Sequence, residues 1–282
     1  KIEISPDSEL QFIGSKAFYR SSINSITIPS EVTTIEDQCF ISCLQLQRID
    51  IPPDSKLQTI GQYSFCNSSI ENFTIPSKLI KLGHGWCCST NNLEKVSVSP
   101  DNPRFCLFDD KYVLGKTKIE QNNYDCFIFC PRNARQVTIP NFIECICPFA
   151  FSECSTKIKF QNDSKLQTIK ECAFLRASIG VIKIPSEVKI IEKDAFRCKI
   201  ISAVFEKDSK LQAINEMAFF ESTIEWINIP SEVKLIGYEA FSNCPLLRSV
   251  EFAEDSKLQT IGRRAFDRTL IESVAIPSEV KT

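Results

Sequence analysis

Cysteine is the residue type in this sequence with the widest chemical potential. The 282-residue chain has 14 cysteines but a single histidine and only eight glycines. Thiols pair as disulfides, and thiolates bind zinc when they occur in closely spaced Cys or Cys/His pairs. The best disulfide candidates are Cys126 and Cys130, with Cys106, Cys145 and Cys147 nearby, although spacing does not give their connectivity. The paired spacing of a zinc site is missing from the sequence, so we expect no metal site.

The only histidine, His84, lies two residues before Trp86 and close to Cys87 and Cys88. A thiol beside an imidazole can act as a nucleophile. However, Trp86 takes the place of a recurrent core phenylalanine, which predicts that both cysteines lie in or next to the core and that His84 lies in a surface turn. The low His and Gly counts also disfavour Ser/His/Asp sets and phosphate-binding loops. We therefore expect a non-enzymatic protein without catalytic or cofactor-binding residues.

The chain contains internal repeats, which determine its architecture and therefore the positions of these residues. The pentapeptide Asp-Ser-Lys/Glu-Leu-Gln begins at Asp7, Asp54, Asp163, Asp208 and Asp255. The pentapeptide Ile-Pro-Ser-Glu-Val begins at Ile28, Ile184, Ile229 and Ile276. An Ala-Phe pair begins at Ala17, Ala150, Ala173, Ala195, Ala218, Ala240 and Ala265. The short repeat is therefore about 23 residues long.

Each short repeat ends in a segment of the form Leu/Ile-x-x-Ile-x-Ile-Pro, which has the form of a leucine-rich-repeat strand. Alternate side chains of a strand face the core, and the proline ends the strand because it cannot donate to the ladder. The Ala-Phe segment predicts a short helical or 3-10 turn opposite the strand, with its Phe in the core. The predicted strands span residues 23–28, 46–51, 70–75, 93–98, 134–139, 155–160, 179–184, 200–205, 224–229, 247–252 and 271–276.

The sequence thus predicts a leucine-rich-repeat solenoid with one strand of a parallel sheet per repeat. We expect a single array over residues 1–282, excised from a longer protein, because Ile2 and Ile4 fit the end of a preceding strand. Between Pro76 and Pro140 the spacing is about 18 residues too long. Apolar runs at 112–114 and 124–129, separated by polar residues, predict a β-hairpin insertion at approximately 99–133. The hairpin either takes part in binding or only covers core.

Four cysteines recur just after the Ala-Phe segment, or after Cys39-Phe40 in its place, namely Cys43, Cys154, Cys198 and Cys244. A cysteine at a recurrent position of a solenoid is typically a small, buried core residue. We therefore predict that these four thiols are structural.

The strand register also predicts which side chains face solvent. Trp226 is an exposed aromatic residue with Val204 and Arg248 on adjacent strands, which fits the composition of binding hot spots but also fits a lone exposed aromatic. Lys157, Lys159 and Lys183 form either a basic patch for an acidic partner or a merely solvated face. The full candidate ligand-binding face consists of Arg48, Lys95, Arg135, Lys157, Lys159, Lys183, Val204, Trp226 and Arg248.

Three glycosylation sequons begin at Asn67, Asn72 and Asn162. They matter only if the protein is secreted. We predict Asn72 on the exposed strand face, where a glycan would obstruct binding.

The overall charge is −2, with 33 Lys and Arg residues against 35 Asp and Glu residues. This balance gives no general attraction to nucleic acid or to an anionic membrane. The sequence contains no apolar run of roughly 20 residues that would span a bilayer, and its first residues lack the pattern of a signal peptide. We expect no transmembrane segment in this stretch.

The Ile-Pro-Ser-Glu-Val and Ala-Phe signatures, with Val98-Ser-Pro-Asp-Asn-Pro-Arg-Phe105 leading into the insertion, resemble the BspA-type leucine-rich repeats. The closest resemblance is to their large expansion in trichomonads, which are parasitic protists. The resemblance implies surface antigens, some of which mediate adhesion. The expected function is a cell-surface or secreted module that binds a protein or glycan of host cells or of the extracellular matrix. An intracellular scaffold with reduced cysteines, or the substrate-recruiting part of an enzyme, is an alternative.

Overall fold

A computed structural model describes residues 4–5 and 8–282. Ile2 and Asp7, on which part of the repeat interpretation rests, lie outside the described residues. The chain divides into two compact units, residues 1–124 with 128–133 and residues 125–127 with 134–282. Each unit is a parallel β-solenoid, and no helix occurs in the described part of the chain. The single-array organisation of residues 1–282 stays a prediction.

The strands of the first unit are short and follow one another at intervals set by the repeat. They are β1 (Phe12–Ile13), β2 (Ser25–Thr27), β3 (Thr34–Ile35), β4 (Arg48–Asp50), β5 (Thr59–Ile60), β6 (Asn72–Ile75), β7 (Lys81–Leu82), β8 (Lys95–Val98), β9 (Phe105–Phe108) and β10 (Tyr112–Gly115).

The next strand, β11 (Cys126–Phe129), has residues in both units. The remaining strands belong to the second unit. They are β12 (Gln136–Ile139), β13 (Cys145–Ile146), β14 (Lys157–Phe160), β15 (Thr168–Ile169), β16 (Ser178–Ile184), β17 (Ile190–Ile191), β18 (Lys199–Phe205), β19 (Ala213–Ile214), β20 (Trp226–Ile229), β21 (Leu235–Ile236), β22 (Ser249–Phe252) and β23 (Thr260–Ile261).

Ten of the eleven predicted strands are confirmed, from β2 to β22. They pair in parallel, as in β6 with β8 and β20 with β22. Alternate side chains are buried: in β20, the four residues from Trp226 to Ile229 are exposed, buried, exposed and buried in turn. The prediction of a strand at 271–276 is wrong. There Val274 is half-buried and Ile276 is 49% exposed, so the burial that supports the other strands is missing.

A second parallel ladder of two-residue strands was not predicted. In the first unit its order is β1-β3-β5-β7, and in the second unit it runs from β11 through β13, β15, β17, β19 and β21 to β23. In each two-residue strand of this ladder, one Ile or Leu faces the core. In β11 the corresponding core residue is Phe127. Two residues are too few to show the period-2 pattern from which strands are predicted.

The predicted helical or 3-10 turn at the Ala-Phe segment is also wrong. The segment is a series of turns in which two residues four apart, such as Gln38 and Ser42, have φ of 58° and 59°. Their N–H groups donate to the carbonyls of Gln62 and Cys66 in the next turn of the solenoid, at 2.7 and 2.8 Å. A helix would bond its N–H groups internally, whereas these residues form a third ladder between repeats.

The predicted core column of Phe residues is confirmed. In the second unit, ring centroids of neighbouring repeats lie 4.8 to 5.4 Å apart with nearly parallel planes. Such aromatic pairs add about 0.5–1.5 kcal/mol each beyond the burial of their area. The stacked rings are Phe127, Phe151, Phe174, Phe196, Phe219, Phe241 and Phe266. In the first unit Phe18, Phe40 and Phe65 stack, and Trp86 is buried, as predicted.

Ion pairs link the two pentapeptides that alternate along the chain. The Lys of the Ser-Lys-Leu sequence bonds the Glu of the preceding Ser-Glu-Val sequence, as in Lys56 to Glu31 at 2.8 Å and Lys210 to Glu187 at 2.6 Å. Lys257 and Glu232 pair in the same way. Each exposed pair stabilises the fold by at most about 1 kcal/mol.

The insertion contains strands at both predicted runs, β10 and β11, which are neighbours in one sheet, and β9 is an additional strand. β9 and β10 pair antiparallel, with Tyr112 opposite Phe108. The sequence prediction paired the runs at 112–114 and 124–129 and missed 105–108 as a strand. The later run becomes β11, whose Ile128 side chain lies against Gly115 at the end of β10.

Candidate functional site

The outward side chains of the main strands form an exposed surface on each unit, which we call the β face. Eight of the nine predicted face residues are exposed, and Val204 is half-buried. The eight exposed residues are Arg48, Lys95, Arg135, Lys157, Lys159, Lys183, Trp226 and Arg248. Whether they bind a ligand stays a prediction.

On the first unit, polar side chains of the β face pair with one another. The Arg48 Nε donates to Asp50 Oδ1 at 2.8 Å, and the Thr74 and Ser97 hydroxyls lie 3.0 Å apart. Asn72 stands opposite Lys95 in the register. A glycan at Asn72 would therefore cover this part of the face.

The other two sequons lie in turns. Asn67 is exposed, has φ of 55°, and donates through its side-chain amide to the Ser42 hydroxyl at 3.3 Å. Asn162 is exposed just after β14. All three sequon asparagines are therefore accessible.

On the second unit, the predicted lysines lie on β14 and β16. Lys157 stands opposite Gln136, and both Lys157 and Lys159 are exposed. Lys183 forms an ion pair with Glu206 at 3.1 Å and stands opposite Val204. Part of the predicted basic patch is therefore neutralised.

Three exposed apolar side chains lie on the adjacent strands β16, β18 and β20, and we call them the apolar patch. Val181 is 54% exposed, Ile201 is 48% exposed and Trp226 is 44% exposed. Val181 pairs with Ser202, and the Glu225 N–H donates to the Ile201 carbonyl at 3.0 Å. The patch therefore spans three successive turns of one unit.

The sequence reading missed Ile201 as an outward residue. The register between β16 and β18 shifts twice around Gly180, so Ile201 is an extra residue that turns outward. Bulges re-aim side chains in this way. The available signal was the pair Ile200-Ile201, because two consecutive side chains of a regular strand cannot both face the core.

Small residues lie directly beside Trp226. Trp226 stands opposite Ser249, and the Ser202 hydroxyl donates to its carbonyl at 3.5 Å. Val204 stands opposite Lys183, and the Arg248 backbone N–H donates to the Glu225 backbone carbonyl. The two predicted neighbours of Trp226 are therefore offset along their strands, and the short serines leave the indole accessible.

The four recurrent cysteines are buried core residues, as predicted. Burial raises the pKa of Cys244 to about 11 and raises that of Cys198 further. The Cys244 thiol donates to the Phe219 carbonyl at 3.0 Å. A raised pKa disfavours the thiolate, which is the nucleophile, so burial makes the Cys198 and Cys244 thiols poor nucleophiles.

Three of the five predicted disulfide candidates lie together. The sulfurs of Cys126, Cys145 and Cys147 all lie within 4.8 Å of one another. A hydrogen bond with Cys126 contributes most to raising the pKa of Cys145, to about 12. Of the other two candidates, Cys106 is hydrogen-bonded to Tyr124 and Cys130 donates to the Pro131 carbonyl.

Another close pair of sulfurs was not predicted. The Cys88 thiol donates to the Cys66 sulfur at 2.6 Å, in neighbouring turns of the first unit. This contact, together with burial, raises the pKa of Cys88 far above its usual range. Both residues belong to the repeated turn segment, and only the register between neighbouring turns of the solenoid brings them together.

His84 is exposed, whereas Cys87 and Cys88 are buried, in agreement with the predicted surface turn. His84 lines a shallow groove of about 410 Å³ that also contains Glu36 and Asp37. Both carboxylates accept hydrogen bonds from backbone N–H groups. Glu36 accepts one from Ser15 at 2.8 Å, and Asp37 accepts one from Gln62 in the next turn at 2.7 Å. The acidic groups of this groove therefore hold turns in place.

In the described part of the chain, no helix has the length and apolar character required to cross a membrane.

Comparison with known proteins identifies the repeat. The family model of the BspA type leucine rich repeat region matches in six copies, over residues 1–106, 117–247 and 198–282. A search of curated proteins found no match.

Solved structures of leucine-rich-repeat proteins share the fold. A leucine-rich repeat protein from Eubacterium ventriosum aligns with 96% of this chain and 77% of its own, at 20% identity and a TM-score of 0.74. The pneumococcal vaccine antigen PcpA aligns at 20% identity and 0.63, over 97% of this chain and 65% of its own. A leucine rich cell surface protein from Faecalibacterium prausnitzii aligns at 20% identity and 0.56, over 85% and 64%. The chain thus spans less than two thirds of the last two structures, and these likenesses establish the fold.

Proposed function

This chain belongs to the BspA-type leucine-rich-repeat family, and on that premise we propose that it is a non-enzymatic recognition module of a cell-surface or secreted protein. Its ligand is a protein or glycan of a host cell or of the extracellular matrix, bound through the β face. A vaccine antigen and a cell surface protein among the structures of similar fold support this placement.

The observation that carries the proposal is the apolar patch on an otherwise polar face. Exposed Trp is enriched at binding hot spots, where it supplies a large contact area around which polar neighbours exclude water. Trp226 is 44% exposed, with Val181 and Ile201 on the next two strands. A solvated face without a ligand requires none of these three apolar side chains.

The flanking charges specify the kind of ligand. Lys157 and Lys159 are exposed on β14, next to the β16 end of the apolar patch. Lysines at one side of an apolar patch favour a ligand with acidic groups at that edge, and they raise its association rate. The proposed ligand is therefore amphipathic with an acidic edge.

The test is a binding comparison with the full chain. Fluorescent chain is applied to cultured epithelial cells and to an array of matrix proteins and acidic glycans, together with a Trp226→Ala variant. We expect saturable binding that falls at least about tenfold in the variant, as for a hot-spot residue.

Tyr238→Ala is the matched control, because Tyr238 is an aromatic residue with 39% exposure that follows β21, away from the main strands. Its binding should equal that of the wild type. Absence of binding to cells and array, or equal losses in the two variants, would overturn the proposal.

A further inference from the structure

We propose that Cys126, Cys145 and Cys147 form a binding site for a thiophilic d10 cation, with Zn²⁺ as the ion they fit. Their three ligand atoms lie within 4.8 Å of one another. Thiolate sulfur is the donor that selects zinc and copper(I) over the harder cations. This inference is independent of the proposed function.

The β geometry forces these three side chains together. Cys145 and Cys147 lie on either side of the buried Ile146, so both point away from the core. Cys126 stands opposite Cys145 in the parallel pairing of β11 and β13, and the Cys147 N–H donates to the Phe127 carbonyl at 2.9 Å. The backbone of the second ladder therefore fixes all three positions.

The cluster departs from the repeat in the residues that would bind metal. Elsewhere the two positions flanking the core Ile or Leu of this ladder hold other residues, such as Thr59 and Gly61 or Thr168 and Lys170. The recurrent cysteines lie after the Ala-Phe segment and are core residues. Repeat packing thus explains Cys244 but does not explain a Cys-Ile-Cys sequence beside a third cysteine.

The distances and accessibility suit a bound ion. Tetrahedral zinc–sulfur bonds of ~2.3 Å place the ligand sulfurs roughly 3.8 Å apart, which is compatible with three sulfurs that all lie within 4.8 Å of one another. Cys126 is buried, whereas Cys145 and Cys147 are half-buried. A water molecule on the half-buried side would complete tetrahedral coordination as a fourth ligand.

A neighbouring cation offsets part of the charge of the occupied site. Three thiolates and one Zn²⁺ have a net charge of −1. The Lys170 ammonium interacts with Cys145 and Cys147, while it also pairs with Glu192 at 3.0 Å. Binding is a ligand exchange without redox change: each thiol that ligates loses its proton to the buffer as its sulfur bonds the ion.

The test is a Co²⁺ titration of the reduced, chelator-treated full chain, followed by addition of Zn²⁺. We expect sulfur-to-cobalt charge-transfer absorption that saturates at one ion per chain and disappears when Zn²⁺ displaces the cobalt. Cys145→Ser and Cys147→Ser should each abolish the saturable absorption.

Cys244→Ser is the matched control, because the neighbouring repeat has Ser222 at the same position, and it should keep the full signal. Thermal unfolding of each variant establishes that it is folded before it is titrated. Three results would overturn the site: no charge-transfer band in the wild type, an unchanged band in both single variants, or a disulfide between two of the three cysteines in native protein.

Discussion

Burial of the Asp194 carboxylate destabilises the fold, because the charged group is removed from water. Asp194 is 8% exposed, has φ of 52°, and its Oδ1 has no hydrogen-bond partner among the described residues. Burial raises the pKa of the Asp194 carboxyl above its ordinary value, although Arg197 and Lys193 act in the opposite direction. The repeated turn needs a left-handed residue here, and Asp adopts that conformation more readily than most residues.

The raised pKa predicts how stability depends on pH. The folded chain holds the Asp194 proton to higher pH than the unfolded chain, so stability is lost as pH rises from the unfolded value of about 4 through the folded pKa. We expect Asp194→Asn to be more stable than the wild type at pH 7, by on the order of 1 kcal/mol, and equally stable near pH 3. Urea unfolding at both pH values measures this difference.

Asp208→Asn is the control for this prediction, since Asp208 has φ of 58° but is exposed. Its stability should match the wild type at both pH values. A loss of stability in Asp194→Asn at pH 7 would mean that its charge pairing with Arg197 outweighs its burial.

At the scale of the element, the second ladder is held together by close backbone contact. A Cβ added to Gly237 would lie 2.5 Å from the Glu216 nitrogen and 2.6 Å from the Asn215 carbonyl carbon. Because both atoms belong to the backbone, the neighbouring turn would have to move. Gly262 meets the backbone of residues 237 and 238 in the same way.

Gly237→Ala should therefore destabilise the chain by about 1–3 kcal/mol, the usual cost of overpacking. Gly14→Ala is the control, because nothing lies within 4 Å of the Cβ it would add. Urea unfolding of both variants gives the comparison. Equal stability of Gly237→Ala and wild type would show that the ladder tolerates a wider spacing.

The sequence predicted the elements that repeat with a clear period. The main strands and the Phe column follow from Ile-x-Ile-Pro and Ala-Phe, since burial of those side chains dominates at each position. The second ladder and the left-handed turns were missed because hydrogen bonds between repeats determine them. Ala17-Phe18 gives no sign that Lys16 and Arg20 are left-handed and donate to the next turn.

In the candidate sites, too, some residues could be identified from the sequence and others only from the pairing of the strands. Trp226 was identified because its residue type and strand position are both visible in the sequence. Ile201 depends on a bulge, and the selection of Cys126, Cys145 and Cys147 from the five predicted candidates depends on a register that crosses the insertion. Both required the three-dimensional pairing of the strands.

At the scale of the whole molecule, the proposed surface role and the intracellular alternative predict different cysteine chemistry. Buried core thiols such as Cys244 remain thiols in either compartment because they are inaccessible. Cys66 and Cys88 differ, since their sulfurs are 2.6 Å apart and Cys66 is half-buried. Disulfides form and persist in oxidising compartments and are rare in the cytosol, so a disulfide at this contact would favour the extracellular role.

The most direct test of the extracellular role is the thiol content of the chain isolated from its own cells. The chain is denatured with an alkylating reagent and a chelator present, and intact mass and peptide mapping count the modified cysteines. We predict that Cys66 and Cys88 are joined, so that at least two of the 14 cysteines escape alkylation until a reductant is added. Alkylation of all 14 before reduction would contradict the account and favour an intracellular scaffold.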